Sequence, residues 1–396
     1  MKVEPRLHFH MPLQRTPFHA RTSAANVLNQ WGNWSGYTTA LVFEDEAMEY
    51  SAIRNAASLY DLCPMVKYRF TGPDAAACLD RLTLRAASRL SVGGVHYTAW
   101  CDDAGKFLDD GTLFRLGPED FRLCCQERHL PWLIDSALGF DVRVREETEE
   151  VAALSLQGPC SAVVLQAAGF DVSALKPFRM MSLPFGDGTL LISRTGFTGD
   201  LGYELWTTPD QALRLWDHLT VAGRPWGIRP VGSSALNLAR IEAGFVITNM
   251  DFIAAHQAVR EDRTRSPIEM ALDWMIDWDK GHFNGRRALL AEREGKTSRW
   301  AFVGLDVPGN VPATGAVIYA GKTKEAGFVT AAEWLPTAKR NVALAHIERK
   351  YLKSDLWADI YALRELQYAR LMLPVTVTER PFFNPARKRA TPPGRF

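Results

Sequence analysis

Hydrophobic positions follow a helical period and then a strand period along the first part of the chain. The segment EDEAMEYSAIRNAA at 44–57 predicts an amphipathic helix, because its apolar residues recur at helical spacing. A strand at Val66–Thr71 comes next, and Gly-Pro at 72–73 opens another helix. From Gly93 on, the period changes to two with turn residues between the runs, which predicts an antiparallel meander.

Beyond the meander, the pattern indicates a second unit and a β-rich end. The run VAALSLQG at 151–158 predicts a strand, and helices with one apolar face follow at 209–223 and 230–244. After about Arg265 the apolar runs are short and strand-like. Strands and helices do not alternate regularly, so we expect no doubly wound parallel sheet. The pattern predicts an α+β fold with a β-barrel-like last lobe.

Charge and hydropathy narrow the class of function. Lys and Arg number 46 against 45 Asp and Glu, a net charge of +1 over 396 residues. This balance predicts no nucleic-acid partner and no binding to an anionic membrane, and the basic tail Ala386–Phe396 is interpreted as a solvated chain end. There is no apolar run of about 18 residues, as a membrane span would need. The N-terminus carries Pro, His and Arg where a secretory signal needs apolar residues. We therefore expect a cytoplasmic protein that acts on a small molecule.

Cysteine and histidine spacing predicts no metal site. The six cysteines show no CxxC spacing and are expected to be free and mostly buried, with a nucleophilic cysteine as the lesser alternative. Cys124 and Cys125 are adjacent in a predicted strand, so their side chains should point to opposite faces. His8 and His10 have no further ligands nearby in the sequence.

The LDDG sequence at 108–111 places two carboxylates in an otherwise largely apolar strand. Neighbouring strand residues face opposite sides, so Asp109 and Asp110 should not enter one cavity together as an acid/base dyad. Two interpretations stay open. The residues form a hairpin turn or bulge, or one ionised aspartate lies in a pocket, where it holds a cationic centre or relays a proton.

The segment RTGFTGDLGYEL at 194–205 is typical of a strand, a glycine-rich turn and a second strand. Gly196, Gly199 and Gly202 would let the backbone approach a flat ligand closely. Glu204 would then accept a pair of N–H bonds from a heteroaromatic ring. A tight hairpin with no ligand is the alternative. Because the turn opens a strand rather than a helix, it is not a dinucleotide-binding loop.

Four tryptophans also have two open interpretations. Trp31 and Trp34 in WGNW, and Trp274 and Trp278 in ALDWMIDW, are typical of core residues, while twelve tryptophans in one chain leave room for a stacking platform. The sequence contains no Ser/His/Asp arrangement, no zinc-type spacing and no GxxxxGK[ST] phosphate loop.

Taken in order, short motifs along nearly the whole chain resemble the glycine-cleavage T-protein (aminomethyltransferase) family. WGNWSGY and SLYDLCPM resemble the family's N-terminal aromatic-glycine segment and its FDVSHM motif. HYTAWCDDAGKFLDD resembles the tyrosine-containing strand that runs into GGIIDD. LSLQGP, RTGFTGDLGYEL, RIEAG and HFNGRRAL resemble VQGP, RTGYTGExGYE, RLEAG and FIGxEAL, and GFVTAAEWLPTAKRNVALAHI resembles GxxTSGxxSPxLxxxIALAxV. A single match is weak, whereas eight in the family's order are a specific signal.

The resemblance implies a cloverleaf of three mixed α/β lobes around a central channel that holds tetrahydrofolate. It also implies that a one-carbon unit moves from a substrate to the folate. The lobes are expected to be a first, folate-binding lobe of residues 1–55 with 151–264, a second α+β lobe of 56–150 and a C-terminal β-rich lobe of 265–396.

The resemblance further implies roles for single residues. The second aspartate of the DD pair, here Asp110, is the key carboxylate and the expected catalytic residue. The glutamate that closes the GYE motif, here Glu204, grips the pterin edge. The other positions that match cofactor-pocket residues are Met65, Tyr97, Gln126, Phe197 and Trp274.

The chain also departs from the family pattern. Six family residues are replaced, at Pro64 (histidine), Lys106 (glycine), Gln126 (asparagine), Phe197 (tyrosine), Leu236 (arginine) and Asn237 (aspartate). Loss of a buried cation and of a hydroxyl would each remove about 1–3 kcal/mol of hydrogen bonding where nothing replaces them. These departures argue against glycine cleavage itself and against a lipoyl carrier protein as partner.

Three functional hypotheses follow. The first is a folate-dependent demethylase or one-carbon transferase, whose apolar, aromatic-rich pocket suits a methoxy-aromatic or other bulky substrate. The second is a folate-independent lyase that uses Asp110 as a base and releases formaldehyde from an aromatic hydroxymethyl compound. The third is a non-catalytic folate- or metabolite-binding regulator, against which the retention of Asp110 and Glu204 speaks.

Overall fold

A computed structural model describes residues 13–364 and 367–391, so His8 and His10 lie outside the described residues. The strands are β1 (Gln30–Trp34), β2 (Tyr37–Val42), β3 (Ala57–Asp61), β4 (Val66–Thr71), β5 (Val95–Cys101), β6 (Phe107–Gly117), β7 (Asp120–Cys125), β8 (Arg143–Glu146), β9 (Ala152–Gln157), β10 (Met180–Phe185), β11 (Gly188–Ser193), β12 (Gly202–Thr207), β13 (Ile228–Pro230), β14 (Trp300–Asp306), β15 (Val317–Ala320), β16 (Lys324–Leu335), β17 (Arg340–Glu348), β18 (Leu356–Arg364) and β19 (Gln367–Thr378). The helices are α1 (His19–Ala25), α2 (Glu46–Asn55), α3 (Ala75–Leu82), α4 (Leu130–Ser136), α5 (Ser161–Ala167), α6 (Ala212–Gly223), α7 (Ser233–Ala243) and α8 (Arg286–Gly295). None of the described helices is long and apolar enough to cross a membrane.

The predicted meander is confirmed as part of a five-stranded antiparallel sheet with the order β5-β6-β7-β4-β8. Its side chains alternate between two packed faces, as a strand period of two requires. Cys124 packs into a cluster shared with the other lobes, while Cys125 packs against α3 and α4. The expectation that these two thiols face opposite sides is therefore confirmed, and the six cysteines are free.

Asp109 and Asp110 lie inside β6 rather than in a hairpin turn. Trp100 pairs with Asp109 and Cys101 pairs with Phe107, so Leu108 is an additional residue in the ladder. An additional residue of this kind is a β-bulge, which twists a strand and redirects the side chains beside it. The LDDG segment is thus a strand with a bulge at its start, so the bulge alternative is confirmed and the turn alternative is wrong.

A six-stranded sheet with the order β10-β11-β12-β9-β3-β13 forms the first lobe. Strand β3 lies between β9, with which it runs antiparallel, and β13, with which it runs parallel. The change of lobe predicted after residue 55 therefore comes one strand too early, because Ala57–Asp61 belongs to this sheet. Helices α5 and α6 cover the sheet and contact each other.

The predicted C-terminal barrel is confirmed. Strands β14, β17, β16, β15, β18 and β19 close into a barrel, because β14 pairs with both β17 and β19. Small and branched side chains fill its interior, among them Ala343, Ala345 and Ile318. A closed barrel leaves no unpaired edge strand.

One hydrophobic cluster is shared by the three lobes. Ile53 and Trp206 come from the first lobe, Phe114 from the five-stranded sheet and Leu344 from the barrel. The rings of Phe114 and Trp206 meet edge to face with 5.2 Å between their centroids. Burial of this apolar surface holds β6 of the five-stranded sheet against β12 of the six-stranded sheet. These two strands carry the two predicted carboxylates, Asp110 and Glu204.

Gly111 is the position of β6 at which a side chain would do most damage. A Cβ atom built there would lie 1.9 Å from the carbonyl oxygen of Cys124 on β7. We expect Gly111→Ala to lower the free energy of unfolding by about 1–3 kcal/mol, because the backbone of β7 must move to make room. Urea denaturation measures this change. Gly117→Ala is the control, because its added Cβ would lie 3.3 Å from Asp120 Cβ and should cost much less.

Candidate active site

Asp110 lies in β6 and contacts two hydroxyl groups. Tyr97 on β5 donates its phenol hydrogen to Asp110 Oδ2 at 2.7 Å. Thr248 Oγ1 lies 2.9 Å from Asp110 Oδ1. Burial, together with the charge of Asp109, raises the pKa of Asp110 to about 7. A carboxyl group with this pKa exists in both protonation states near neutral pH, as a general acid or base must.

Asp109 is fully buried beside Asp110. Its Oδ1 accepts hydrogen bonds from the Asp110 backbone N–H at 2.8 Å and from the Thr248 hydroxyl at 2.6 Å. Its Oδ2 accepts from the Glu127 N–H at 3.0 Å and lies 3.0 Å from His129 Nε2. The two carboxylates differ in exposure, as strand alternation predicts. They are nevertheless linked through one hydroxyl, because Thr248 approaches both from another part of the chain.

Thr248 is a site residue that the sequence analysis missed. It follows α7, in a segment that a buried ion pair between Arg240 and Asp251 holds in place at 2.5 Å. Asp251 also accepts the Ile247 backbone N–H at 2.9 Å, which fixes the chain next to Thr248. Arg240 belongs to the RIEAG motif, so the sequence contained the cation of this ion pair but nothing that marks Thr248.

Glu204 lies on β12, next to β11, and is almost fully buried. Among the described residues, Thr195 Oγ1 is the one side-chain donor to its carboxylate, at 2.5 Å. Burial raises the pKa of Glu204 to about 7, and the Thr195 bond opposes this shift only in part. Its charge also contributes to the raised pKa of Cys124 on β7. Glu204 is thus close enough to the five-stranded sheet for its charge to act on a residue of β7.

The glycines of the predicted turn serve the protein's own packing. A Cβ atom at Gly196 or Gly202 would lie 2.0 or 2.1 Å from Gln157 Oε1. The buried Gln157 amide donates to the carbonyl oxygen of Thr195 at 3.2 Å. The lack of side chains at these glycines thus lets Gln157 fix the turn that precedes Glu204.

An aromatic platform flanks Asp110. The rings of Tyr97 and Trp274 are 31° from parallel, with 6.4 Å between their centroids. Trp274 is 63% exposed, so its interpretation as a core residue is wrong and its large apolar face is open to a ligand. Trp34 and Met65 are partly buried against the shared cluster together with Tyr97.

The other residues at positions of interest make contacts within the protein, some apolar and some polar. Phe197 stacks on Phe245 with 5.6 Å between the ring centroids. The backbone carbonyl of Gln126 accepts the Ser35 hydroxyl at 2.8 Å, which ties the end of β7 to the β1–β2 hairpin. Leu236, which replaces the family's arginine, packs against the shared apolar cluster. An apolar side chain thus takes the position of the family's cation.

The described residues fit the pteridine edge of a folate at Glu204. An almost buried carboxylate with one neutral donor has acceptor capacity left over, and its raised pKa shows that no nearby cation stabilises its charge. Two N–H groups of a heteroaromatic ring would supply the missing hydrogen bonds. The open face of Trp274 offers a surface for a second aromatic group.

The C-terminal tail packs against the turn before Glu204. Arg387 forms a bidentate ion pair with the buried Asp200 at 2.6 and 2.7 Å. Arg194 donates to the carbonyl oxygen of Ala390 at 2.6 Å and to the hydroxyl of Thr391 at 2.9 Å. The interpretation of the tail as a solvated end is therefore wrong up to Thr391. Residues 392–396 lie outside the described part of the chain.

Removal of the Arg387 side chain should destabilise the protein. Asp200 would then be left buried with Arg54 at 3.6 Å as its nearest cation. We expect Arg387→Ala to lower the free energy of unfolding by about 2 kcal/mol, since a buried charge that loses its partner is costly. Chemical denaturation measures the effect. Arg21→Ala, which removes the half-exposed ion pair with Asp217, should change stability far less.

Two family profiles cover most of the chain. The GCVT N-terminal domain matches residues 18–280, and the glycine cleavage T-protein C-terminal barrel domain matches residues 301–384. The second match coincides with the closed barrel.

Comparisons with individual proteins also point to this family. The chain is 30% identical to an aminomethyltransferase of Lysinibacillus sphaericus over 381 residues, which cover 94% of this chain and 98% of the relative. It is 31% identical to a trimethylamine-oxide aldolase of Ruegeria pomeroyi, covering 95% of this chain but 48% of that protein. The crystal structure of the glycine cleavage system aminomethyltransferase T from Bartonella henselae superposes with a TM-score of 0.82 at 25% identity, covering 94% of this chain and 99% of that one.

Proposed function

The chain belongs to the glycine-cleavage T-protein (aminomethyltransferase) family, and on that premise we propose that it is a tetrahydrofolate-dependent one-carbon transferase or demethylase. The observation that carries the proposal is the setting of Asp110. This carboxyl group has a pKa of about 7, contacts two hydroxyl groups and lies beside an open aromatic platform. It is therefore equipped to bind and to exchange a proton at a reacting amine or ether.

The residues of the site divide the work between binding and proton transfer. Bound tetrahydrofolate would supply N5, the nitrogen that accepts the one-carbon unit. Glu204 would hold the pterin edge, and Trp274 would offer an aromatic face to the ligand. In its ionised form Asp110 would orient the donor electrostatically, and in its protonated form it would return a proton to the leaving group. Most of the acceleration would come from holding the donor carbon and the acceptor nitrogen in line.

We expect the donor to differ from the aminomethyl group of glycine cleavage. Leu236 places an apolar side chain where the family has a cation, and Tyr97 and Trp274 add aromatic surface next to Asp110. Such a pocket suits a methoxy-aromatic or another bulky methyl donor, and no lipoyl carrier would then be needed.

A lyase on the same fold is the second candidate. The relative named trimethylamine-oxide aldolase matches nearly all of this chain, although the match covers about half of that protein. In a lyase Asp110 would act as a base, and the product would be free formaldehyde.

One assay separates the two candidates. The purified protein is incubated with methoxy-aromatic, hydroxymethyl-aromatic and N-methyl compounds, with and without tetrahydrofolate, and both one-carbon folates and formaldehyde are quantified. Multiple turnovers that require tetrahydrofolate support the transferase. Formaldehyde released in stoichiometric amount without folate supports the lyase and contradicts the transferase. If no tetrahydrofolate binding and no turnover occur, both candidates are wrong.

A further inference from the structure

A row of hydrogen-bonding groups leads from Asp110 into the five-stranded sheet's lobe. Asp110 Oδ1 lies 2.9 Å from Thr248 Oγ1, and the same hydroxyl lies 2.6 Å from Asp109 Oδ1. On the other side of the Asp109 carboxylate, Oδ2 lies 3.0 Å from His129 Nε2. All three separations are within hydrogen-bond range. Four side chains therefore form one unbroken row.

The Thr248 hydroxyl makes this row directional. A hydroxyl has one hydrogen, so it donates to one carboxylate and can accept only from a protonated partner. Asp109 Oδ1 lies closer to Thr248 and also takes the backbone N–H of Asp110, so it is the natural acceptor. A proton on Asp110 Oδ1 would then point at the Thr248 oxygen.

The far end of the row is held rigidly and lies close to the surface. The Tyr68 hydroxyl lies 2.6 Å from the backbone nitrogen of His129, and the Trp100 ring meets the His129 ring edge to face with 5.6 Å between centroids. The His129 side chain is 4% exposed. The exposed His256 ring lies on its other side, with 5.3 Å between the two centroids.

The other ionisable groups around the row cannot replace His129. Tyr97 is held as a neutral phenol, because burial and Asp110 raise its pKa, and burial likewise raises the pKa of the Cys125 thiol. Asp251 and Glu127 are acidic, and the buried cation nearest to Asp251 is its own partner, Arg240. Among the described side chains that contact Asp109, His129 is the one that can carry a positive charge.

We propose that Thr248, Asp109 and His129 form a proton-transfer chain that connects Asp110 with the His129 imidazole, whose ring packs against the exposed His256. Its part in turnover rests on the proposed function. In one direction Asp110 gives its proton to Thr248 Oγ1 while the Thr248 hydroxyl gives its own to Asp109 Oδ1. Rotation of the Asp109 carboxyl group about its Cβ–Cγ bond then turns the protonated oxygen toward His129, and the proton passes to His129 Nε2, which is the unprotonated nitrogen of a neutral ring that carries its hydrogen on Nδ1. The first step breaks two O–H bonds and forms two, the last breaks one O–H bond and forms one N–H bond, and the result is an ionised Asp110 and an imidazolium at His129.

Infrared spectroscopy tests the chain without any substrate. The C=O stretch of protonated Asp110, identified by its loss in Asp110→Asn, is titrated in the wild-type protein and is expected to disappear around pH 7. In His129→Gln the amide still bonds Asp109 but cannot take up a proton. Transfer of the Asp110 proton to residue 129 is then impossible, so the C=O band of protonated Asp110 should persist to a higher pH than in the wild type. His218→Gln, at a half-buried histidine that contacts the carbonyl oxygen of Ala168 in the first lobe, should leave the midpoint unchanged.

If the pH midpoint of the Asp110 titration is the same in His129→Gln and in the wild type, the proposed proton-transfer chain is wrong. If glutamine disturbs the packing against Trp100 and the variant does not fold, His129→Asn is the smaller replacement for the same titration. In turnover assays we expect His129→Gln to lower kcat about tenfold and shift its pH profile upward while KM changes little. If the Asp110 midpoint shifts but no folate-dependent turnover is found, the proton-transfer chain is supported and the proposed function is refuted. If folate-dependent turnover is found but the midpoint does not shift, the proposed function is supported and the proton-transfer chain is refuted.

Discussion

Replacement of Asp110 with asparagine is expected to lower kcat by about 10²–10⁴-fold, the usual contribution of a positioned general acid or base. Asparagine keeps the size of the side chain and its contacts with Tyr97 and Thr248, but it can neither ionise nor exchange a proton. The loss should therefore fall on kcat, with a smaller effect on KM. Steady-state kinetics with an accepted donor and tetrahydrofolate measures both constants.

Asp103→Asn is the matched control for this experiment. Asp103 is exposed in the turn between β5 and β6, so its replacement should leave kcat unchanged. If Asp110→Asn turns over as fast as the wild type, the role assigned to Asp110 is wrong, whichever substrate is used.

The pH dependence of stability shows whether the inactive variant is folded. The pKa of Asp110 in the folded protein is about 7, above its ordinary value near 4. The folded state therefore holds this proton more tightly than the unfolded state, and the resulting stability is lost as the pH rises from about 4 through 7. Asp110→Asn removes this loss. Relative to the wild type, the variant should gain roughly 2–3 kcal/mol between pH 5 and pH 8 in urea unfolding.

Much of the fold could be predicted because local patterns decide it. Strand β4 has the predicted bounds, Val66–Thr71, and strand β12, Gly202–Thr207, begins within the predicted second strand of RTGFTGDLGYEL, since both are short apolar runs that follow turn residues. Strand β3 and strand β18 were missed. The sequence ASLYD is too short to show a period, and LWADIYALR contains residues that favour helices as readily as strands. The pairing partners of β3, strands β9 and β13, lie far away in the chain, and no local pattern contains that information.

The candidate site could be predicted only where a motif marks it. Asp110 and Glu204 came from the resemblance; in the structure Asp110 is partly buried, Glu204 is almost fully buried, and both have raised pKa values. Thr248 and His129 could not be found in this way. Each is brought to the carboxylates by tertiary packing, at sequence separations of 138 and 20 residues. For the same reason, strand alternation could not reveal that a third segment reaches both carboxylates.

The site also shows why two raised carboxyl pKa values belong together in one protein. Neither Asp110 nor Glu204 has a cation bonded to its carboxylate among the described contacts. Each therefore destabilises the folded protein when it ionises, and a ligand that donates hydrogen bonds to it recovers that free energy on binding. Ionisation of these two carboxyl groups thus costs the unliganded protein free energy, and hydrogen bonds from a bound ligand would reduce that cost.

Glu204 gives the second large effect, on the binding of tetrahydrofolate. We expect Glu204→Ala to weaken binding about 10–100-fold, because hydrogen bonds to a charged acceptor contribute about 1.5–3 kcal/mol. Calorimetric titration of the wild type and the variant measures the two Kd values. Glu119→Gln is the control, since Glu119 is exposed in the turn between β6 and β7 and should bind folate like the wild type.

The pH dependence of this binding separates recognition of the pterin edge from a merely structural role of Glu204. Burial raises the pKa of Glu204 to about 7, so the carboxylate that accepts two N–H bonds becomes populated as the pH rises from 6 to 8. Affinity for tetrahydrofolate should increase over this range in the wild type and stay flat in Glu204→Gln, which keeps the size of the side chain and the contact with Thr195. Equal affinity and equal pH dependence in both proteins would show that Glu204 does not bind the pterin. If even millimolar tetrahydrofolate fails to bind to the wild type, the folate-free lyase becomes the favoured function, with Asp110 as its base.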